Sequence, residues 1–566
     1  MNERCSLLAT SVSMLALLGC ADETPLGPLD AGGSASTLDA GDATTTTPTT
    51  TADAAMIDAG DEPESFVPFA QVFGSPGAEY VKAMTTSHAG EVLVATLFSG
   101  TIELDGAGRT ATSRGSIDTA IVAYDPETGL ASQSFSFGGE GMTVPHGIAV
   151  GSDDARIVVG YSRAAGEGEG RASYDPAGAP AGELAFSGGE KPFVARYSAE
   201  GALEWARMID ATDALGAGSF ARAWDVAVDD SDAVYVVGHF RGTFDLDPGA
   251  GTRLVSSRDG STDLFVLKLD RDGVLVWGFA LGGPGADAGV EGAMASPGGT
   301  GDASIAIHGE QLFVQGTFTD TASLAGTSAP SAESELRSVG ASDLFVARFD
   351  AATGAFQRAL RIGNESDESA APGTMRVDTE GHLYFAARTT GAADWSGVGS
   401  GVVEGVGNAV VVVSLDTELG FRWAARLAST GGNDGAHRVV PDGRGVVYVA
   451  GWSSGVTDFD PGPTELTRTA PLLGGLGTDP YLLALRDEGS EAELVWVATL
   501  DATLAHDTNG IPAGLTVDPA GHPWIGGQFF APIDLDPGAP SDVVAPVGAN
   551  DGFVVRIHRS TGSATR

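Results

Sequence analysis

"DLFVLKLD", residues 263–270, is the stretch that decides the fold. It is a short run of large apolar residues between two aspartates, with the turn "RDG" behind it, and it reads as a buried β-strand. The same shape returns as "DTAIVAYD" from Asp118, "KPFVARYS" from Lys191, "DLFVARFD" from Asp343, "NAVVVVSLD" from Asn408, "DPYLLALR" from Asp479 and "DGFVVRIH" from Asp551. The landmark position holds Ala120, Phe193, Phe265, Phe345, Val410, Tyr481 and Phe553, at spacings of 73, 72, 80, 65, 71 and 72. A period of that size points to a repeat architecture.

The clearest unit runs from residue 222 to 282. "RAWDVAV" is a first strand, "DDSD" a turn and "AVYVVGHF" a second strand. A long loop leads to "DLFVLKLD", and "VLVWGFALGG" is the fourth strand. Seven such units of four strands predict an all-β, seven-bladed β-propeller over residues 66–566. Blade seven lacks a fourth strand after Phe553, and "PFAQVFG", residues 68–74, matches "VWGFALG", residues 276–282. The N-terminal strand is therefore expected to complete the last blade, which removes an exposed edge. Trp205, Trp277, Trp423 and Trp496 share the fourth-strand position and are expected to pack between blades.

"VAVDDSDAVYVVGHF", "FDLDPG" and "DLFVLKLD" together resemble the bacterial SBBP-type β-propeller repeat, with a more distant likeness to NHL repeats. The resemblance covers residues 66–566, with blades two and four the most degenerate. It implies a propeller, and often a lipobox and a Thr-rich linker. It implies no particular activity, because this fold carries both binding scaffolds and enzymes.

Residues 1–19 read as a signal peptide, since the apolar run is too short to span a bilayer. "LLGC" ending at Cys20 resembles a lipobox, which implies cleavage before Cys20 and acylation of its thiol. Residues 20–65 carry acids, threonines and prolines with no lysine or arginine, and are expected to be a disordered tether. Cys5 and Cys20 are the only cysteines, so no disulfide is expected in the folded body. Export across the inner membrane and lipid anchoring at the outer membrane or cell surface follow from this reading. The net charge of −44 repels phosphate backbones, so nucleic acid is not an expected partner.

Asp-x-Asp-Pro words recur between second and third strands, at Asp245 and Asp247, Asp458 and Asp460, and Asp534 and Asp536. Two readings apply. In a turn, aspartate accepts backbone N–H groups, proline fixes φ and glycine takes positive φ. In a cation site, the alternating carboxylates would supply oxygens to Ca²⁺, which takes six to eight. Three equivalent copies on separate blades do not suit a catalytic pair. The aspartates before third strands (Asp118, Asp263, Asp343, Asp479 and Asp551) read as local caps.

"GWSSG", residues 451–455, matches a nucleophile-elbow pattern, but it leads into a loop and a strand rather than a helix. His382 and His522 follow glycine in turns and are expected to be exposed. No P-loop or zinc spacing is present. The long connections, such as 319–340, 457–478 and 282–301, leave one face of a propeller, where recognition is expected. The sequence thus predicts a monomeric, lipid-anchored extracytoplasmic binding or scaffold protein. Its partner would be a protein or glycan met through the acidic long-loop face. The alternative is a glycan-acting hydrolase or lyase working at the channel mouth.

Overall fold

The computed structural model describes Phe66 and residues 68–562, apart from 106–107, 167, 188, 211–218, 258–260, 284–302, 366, 371–372, 398–400, 406, 431–433, 471–477, 501–509 and 537–542. The expected leader 1–19, the acylated Cys20 and the linker to residue 65 lie outside the described residues, as does most of the loop 282–301.

The described residues are all-β apart from one 3-10 turn at Pro180–Gly182, and the strands form a β-propeller arrangement. Each unit is an antiparallel meander. In the clearest one, Phe220–Val228 pairs with Val234–Arg241, then Asp263–Leu269, then Leu275–Leu281. The innermost strands of successive sheets lie side by side, and the last, Ile511–Val517, meets the first, Glu79–Thr86. The Thr86 hydroxyl donates to the Val517 carbonyl at 2.9 Å across that junction. Phe69–Phe73 pairs antiparallel with Asp551–Arg556, so the strand just past residue 68 completes the last sheet, as "PFAQVFG" suggests.

The expected set of seven like four-stranded blades is corrected in two ways. Among the described residues, six units carry an unbroken innermost strand. In the unit containing Leu383–Thr389 that strand is broken into Glu368–Ala370 and Arg376–Val377. Two sheets also exceed four strands. The hairpin of Glu169–Ser173 and Glu183–Ser187 joins the outer strand Leu130–Gly139 of the preceding unit. The hairpin of Gly455–Asp458 and Thr467–Ala470 joins Phe421–Ser429 in the same way. Both cover an outer edge that would otherwise present unpaired backbone groups.

The core lies between sheets. Tyr235, Val237, Leu264 and Val266 of one sheet pack on Ile305, Leu312, Val314 and Phe345 of the next. A strand buried on both faces needs no polar alternation, which is why "VYVV", residues 234–237, is apolar throughout. Each such Val, Leu or Phe contributes about 1.5–3 kcal/mol when fully buried. The landmark ring of the third strand lies opposite a second-strand glycine in five units: Phe193 and Gly160, Phe265 and Gly238, Phe345 and Gly316, Tyr481 and Gly451, Phe553 and Gly527. A Cβ on Gly238 would sit 2.5 Å from the Phe265 ring. Where the landmark is Ala120 or Val410, the residue opposite is Thr96 or Arg388 instead.

The fourth-strand tryptophans latch neighbouring sheets. Trp205 and Trp496 donate from Nε1 to the carbonyls of Arg271 and Arg559, each at 2.8 Å, in the next unit. Trp423 donates to Asp487 at 2.9 Å. Trp277 packs against Gly354, whose φ is +71°.

Candidate functional site

Three sets of polar residues lie along the innermost strands and in the connections beyond them. The deepest is built by β-bulges. The register shifts at the same place in five inner strands, and the extra residue is Lys82, His146, Trp224, His437 or Ala513. A bulge adds one residue without a partner and re-aims its side chain. These five residues, with Gly373 and Arg438, line a cavity of about 20 Å³. His146 Nδ1 lies 2.9 Å from the Ala223 carbonyl and His437 Nδ1 lies 2.5 Å from the Pro512 carbonyl, so each ring bolts its strand to the next. The His146 ring stacks on Trp224 at 3.9 Å, and Trp224 donates from Nε1 to His239 Nδ1 at 2.6 Å.

This layer is cationic. Arg438 donates to the carbonyls of His437, Lys82 and His146 at 2.8, 3.1 and 3.3 Å, tying three inner strands together. Burial, with Arg438 and Arg222 nearby, pushes the Lys82 amine down to about 7. Burial likewise holds His146 and His239 well below the usual histidine range, and His437 down to about 3. The acids in this layer are committed. Glu190 grips Arg222 through two bonds of 2.6 and 2.9 Å, and Asp225 accepts from Arg376 at 3.1 Å and Ser304 Oγ at 2.9 Å.

The second layer is acidic. Glu79, Glu368 and Asp434 stand at the start of three inner strands or just before them. Burial pushes Glu79 and Glu368 up to about 7, with Asp551 and Asp343 of the adjoining sheets adding like charge. Burial also raises Asp434, which accepts the Ser454 N–H at 2.7 Å. The "GWSSG" serines are therefore buried in an acidic strand end, not displayed on an elbow.

The third layer is the set of second-to-third connections, where the expected site residues lie. Asp245 Oδ1 accepts from the N–H groups of Asp247 and Arg253 at 3.0 and 2.6 Å, and Asp247 from Gly249 at 2.8 Å. Asp458 accepts from Asp460 and Leu466 at 3.1 and 2.9 Å, and Asp460 from Gly462 at 2.8 Å. Asp534 accepts from Asp536 at 2.9 Å. The carboxylates thus serve as turn acceptors. Among the described residues no three His, Cys, Asp or Glu side chains gather as a metal ion would need. Each pair offers two carboxylates, against the six to eight oxygens Ca²⁺ takes. The cap aspartates behave alike: Asp118 accepts from Arg114 N–H at 2.9 Å, and Asp551 from Val547 and Gly548 at 2.8 and 3.1 Å.

His382 is partly exposed and bonded to Asp378. His522 is buried, contrary to expectation, because its Nδ1 accepts the Arg559 N–H at 3.0 Å under Phe66. A larger groove of about 390 Å³ on the outer rim, beside Arg207, Asp210 and Pro248, carries none of this clustered chemistry. Sequence reasoning missed the central layer because its histidines looked scattered. Aligning "YVKAMTT", "VPHGIAV", "RAWDVAV", "GAHRVVP" and "IPAGLTV" puts Lys82, His146, Trp224, His437 and Ala513 in one column.

No family model matches the chain, and no curated protein matches it. Among solved structures it is similar to a protein of unknown function from Dyadobacter fermentans, at 10% identity over 86% of this chain and 98% of that one, with a TM-score of 0.34. It is similar to the endosialidase of phage phi92, at 11% identity over 87% and 70% of the two chains, with a TM-score of 0.33. A subtype N11 neuraminidase-like protein of A/flat-faced bat/Peru/033/2010 gives 9% identity over 86% and 99%, with a TM-score of 0.27. Similarities this low carry no argument about activity.

Proposed function

We infer that this chain is an extracytoplasmic, lipid-anchored binding protein that docks a protein partner on the long-loop end of a ring of seven modules. The module with the broken inner strand counts as one of the seven. Antiparallel neighbours make strands one and three begin at the same end, so the second-to-third and inter-sheet connections emerge together there. The carrying observation is where large apolar side chains face water. Of the ten that do among the described residues, Leu254, Val339, Val402, Val456, Phe530, Val543 and Val547 belong to second-to-third connections, and Leu130, Val274 and Val276 do not. Val547 and Val339 are 70% and 56% exposed. Aliphatic groups recurring on one end, among acids, suit a protein surface better than a sugar. The acyl group on Cys20 and the linker to residue 65 would hold this face away from the membrane.

A second reading, a glycan-acting enzyme, draws on the central layer, where Lys82, His146 and the adjacent pair His437 and Arg438 come from three different sheets. A hydrolase would need two working carboxyl groups flanking its substrate. Glu190 and Asp225 are held by arginines, so the layer suits a lyase-type base and cation better than a hydrolase.

Photo-cross-linking tests the binding reading. A benzoylphenylalanine placed at Val339 or Val547 of the full chain, expressed in its own cells, should give one discrete protein adduct. The same group at Leu130 or Val274 should give none. Equal adducts from both ends, or glycan adducts alone, would overturn it.

A further inference from the structure

The strand that completes the ring ends on two buried carboxyl groups. Glu79 and Asp551 are both fully buried. The connection from the closing strand Phe69–Phe73 to the inner strand Glu79–Thr86 touches each of them. A Cβ on Gly74 would sit 2.6 Å from Asp551 Oδ2, and Asp551 accepts the Val547 and Gly548 N–H groups at 2.8 and 3.1 Å. One residue on, Ser75 donates from Oγ to Glu79 Oε1 at 2.6 Å and from its N–H to Oε2 at 3.2 Å. Asn550, next to Asp551, donates from Nδ2 to the Glu79 carbonyl at 2.8 Å. Asp551 is the titratable group that faces Glu79, while Ser99 and Gln528 stand behind Ser75 and Asn550. Among the described residues no Lys or Arg pairs with either acid.

A second junction has the same acids with two differences. A Cβ on Gly363 would lie 2.6 Å from Glu368 Oε2 and 2.8 Å from Asp343 Cγ, so these carboxyls also converge on one glycine. There Arg361 donates to Asp343 at 2.5 Å. Arg361 lies opposite the landmark Phe345, whereas the residue opposite the landmark Phe553 is Val72. The closing seam therefore lacks the guanidinium that its counterpart has. It also lacks a covalent hold. Phe356–Ile362 is joined to Asp343–Asp350 through the turn 351–355, but Phe69–Phe73 meets Asp551–Arg556 from the other end of the chain, through strand pairing. Strain at the Glu368 junction has no strand to release, and strain at the Glu79 junction does.

Two ionised carboxyls side by side, out of water and without a cation, oppose each other, so the closed seam favours a proton on the pair. Burial, with Asp551 adding like charge, holds Glu79 up to about 7, against an ordinary 4.5. The folded value is the higher one. The seam is therefore firmest below about 4.5 and weakens as pH rises through 7. We propose that the Glu79–Asp551 seam is a proton-dependent latch on ring closure: while the pair holds a proton, Phe69–Phe73 stays on Asp551–Arg556, and loss of that proton to solvent releases the strand with the other sheets still folded. The latch does not rest on the loop-end binding reading, and either can fail while the other stands.

Hydrogen exchange of the full chain, read by mass spectrometry between pH 5 and pH 8, tests this. Each amide rate is divided by its unprotected rate at the same pH, which removes the chemistry of exchange itself. Protection of Phe69–Phe73 should fall by about tenfold or more across the range, and that of Phe356–Ile362 by clearly less. Glu79→Gln keeps an acceptor for the Ser75 hydroxyl without the charge, and at pH 8 it should retain the protection seen at pH 5. Glu368→Gln, at the second junction, should leave Phe69–Phe73 as the unaltered chain has it. Val72→Arg supplies the missing guanidinium and should blunt the fall, which keeps the proposal open to test if Glu79→Gln folds poorly. Protection of Phe69–Phe73 that ignores pH, an equal fall in both strands, or a Glu368→Gln that rescues the closing strand as well as Glu79→Gln does would overturn the latch.

Discussion

The fourth-strand tryptophans and the inner-strand bulges are both positions repeated around the same ring, yet they behave oppositely. On the outside, four fourth strands share a tryptophan, Trp205, Trp277, Trp423 and Trp496, each meeting a turn of the next sheet, while Gln133 and Arg358 hold the same position in two others. On the inside, the bulge holds Lys82, His146, Trp224, His437 and Ala513, five positions with four residue types. A residue type shared by four boundaries fits a joint between sheets. Variety fits a place where the sheets converge on one shared volume and each contributes a different group. In a repeat protein, then, chemistry is to be sought where the copies agree in backbone and disagree in side chain.

That contrast breaks most directly at the outer joint. Trp423→Ala removes a buried indole and its bond to Asp487, and should cost about 3–5 kcal/mol, seen as a lower midpoint in denaturant. Ala513 at the inner bulge has little to lose, so Ala513→Gly should shift the midpoint far less. If the two changes cost the same, the division between joint and site fails. The turns that receive the tryptophans sharpen the point. Gly273 has φ +76°, and a Cβ there would sit 2.9 Å from the Trp205 ring. Gly273→Ala should cost about 1–2 kcal/mol from the left-handed backbone alone, with the contact added.

The acidic layer allows a comparison by pH. Glu79 and Glu368 have an ordinary value of 4.5 and a folded value of about 7. Between these values the folded chain holds protons that the unfolded chain releases. Stability contributed by these groups is therefore full below about 4.5 and lost as pH rises through 7. Glu368→Gln should match the unaltered protein at pH 4.5 and exceed it at pH 8, by on the order of 1 kcal/mol. A Gln variant with an unchanged slope of midpoint against pH would show that this carboxyl is not the source.

Much of the fold was legible because its signals are local and repeated. The "DLFVLKLD" word sits on a strand, and Phe69–Phe73 pairs where its likeness to residues 276–282 suggests. The broken inner strand was not legible, since Glu368–Ala370 and Arg376–Val377 differ from their counterparts by inserted residues that no period exposes. The hairpins that enlarge two sheets pair with a preceding unit, a contact that no single unit encodes. The candidate site was hardest. His146 and Arg438 are far apart in the chain, and only ring closure brings the guanidinium to the His146 carbonyl. The burial of His522 also depends on distant residues, here Phe66 and Arg559.

The smallest expected effect lies in the Asp-x-Asp turns, where the outer repeat and any cation reading meet. Asp245 uses one oxygen for two N–H groups, while Asp247 uses one for Gly249. Asparagine offers the same carbonyl oxygen without charge. If these are turns, Asp247→Asn keeps its bond and should move the midpoint by less than about 0.5 kcal/mol equivalent. Asp245→Ala strands two donors at once and should cost about 1–2 kcal/mol. A Ca²⁺ site would level that order of sensitivity, because loss of either charge would release the ion, and EGTA would imitate both. Melting the full chain with and without EGTA should leave the midpoint unchanged. A chelator-sensitive midpoint that Asp247→Asn abolishes would move these loops from joints to sites, and the rule drawn from the tryptophans would no longer hold at the rim.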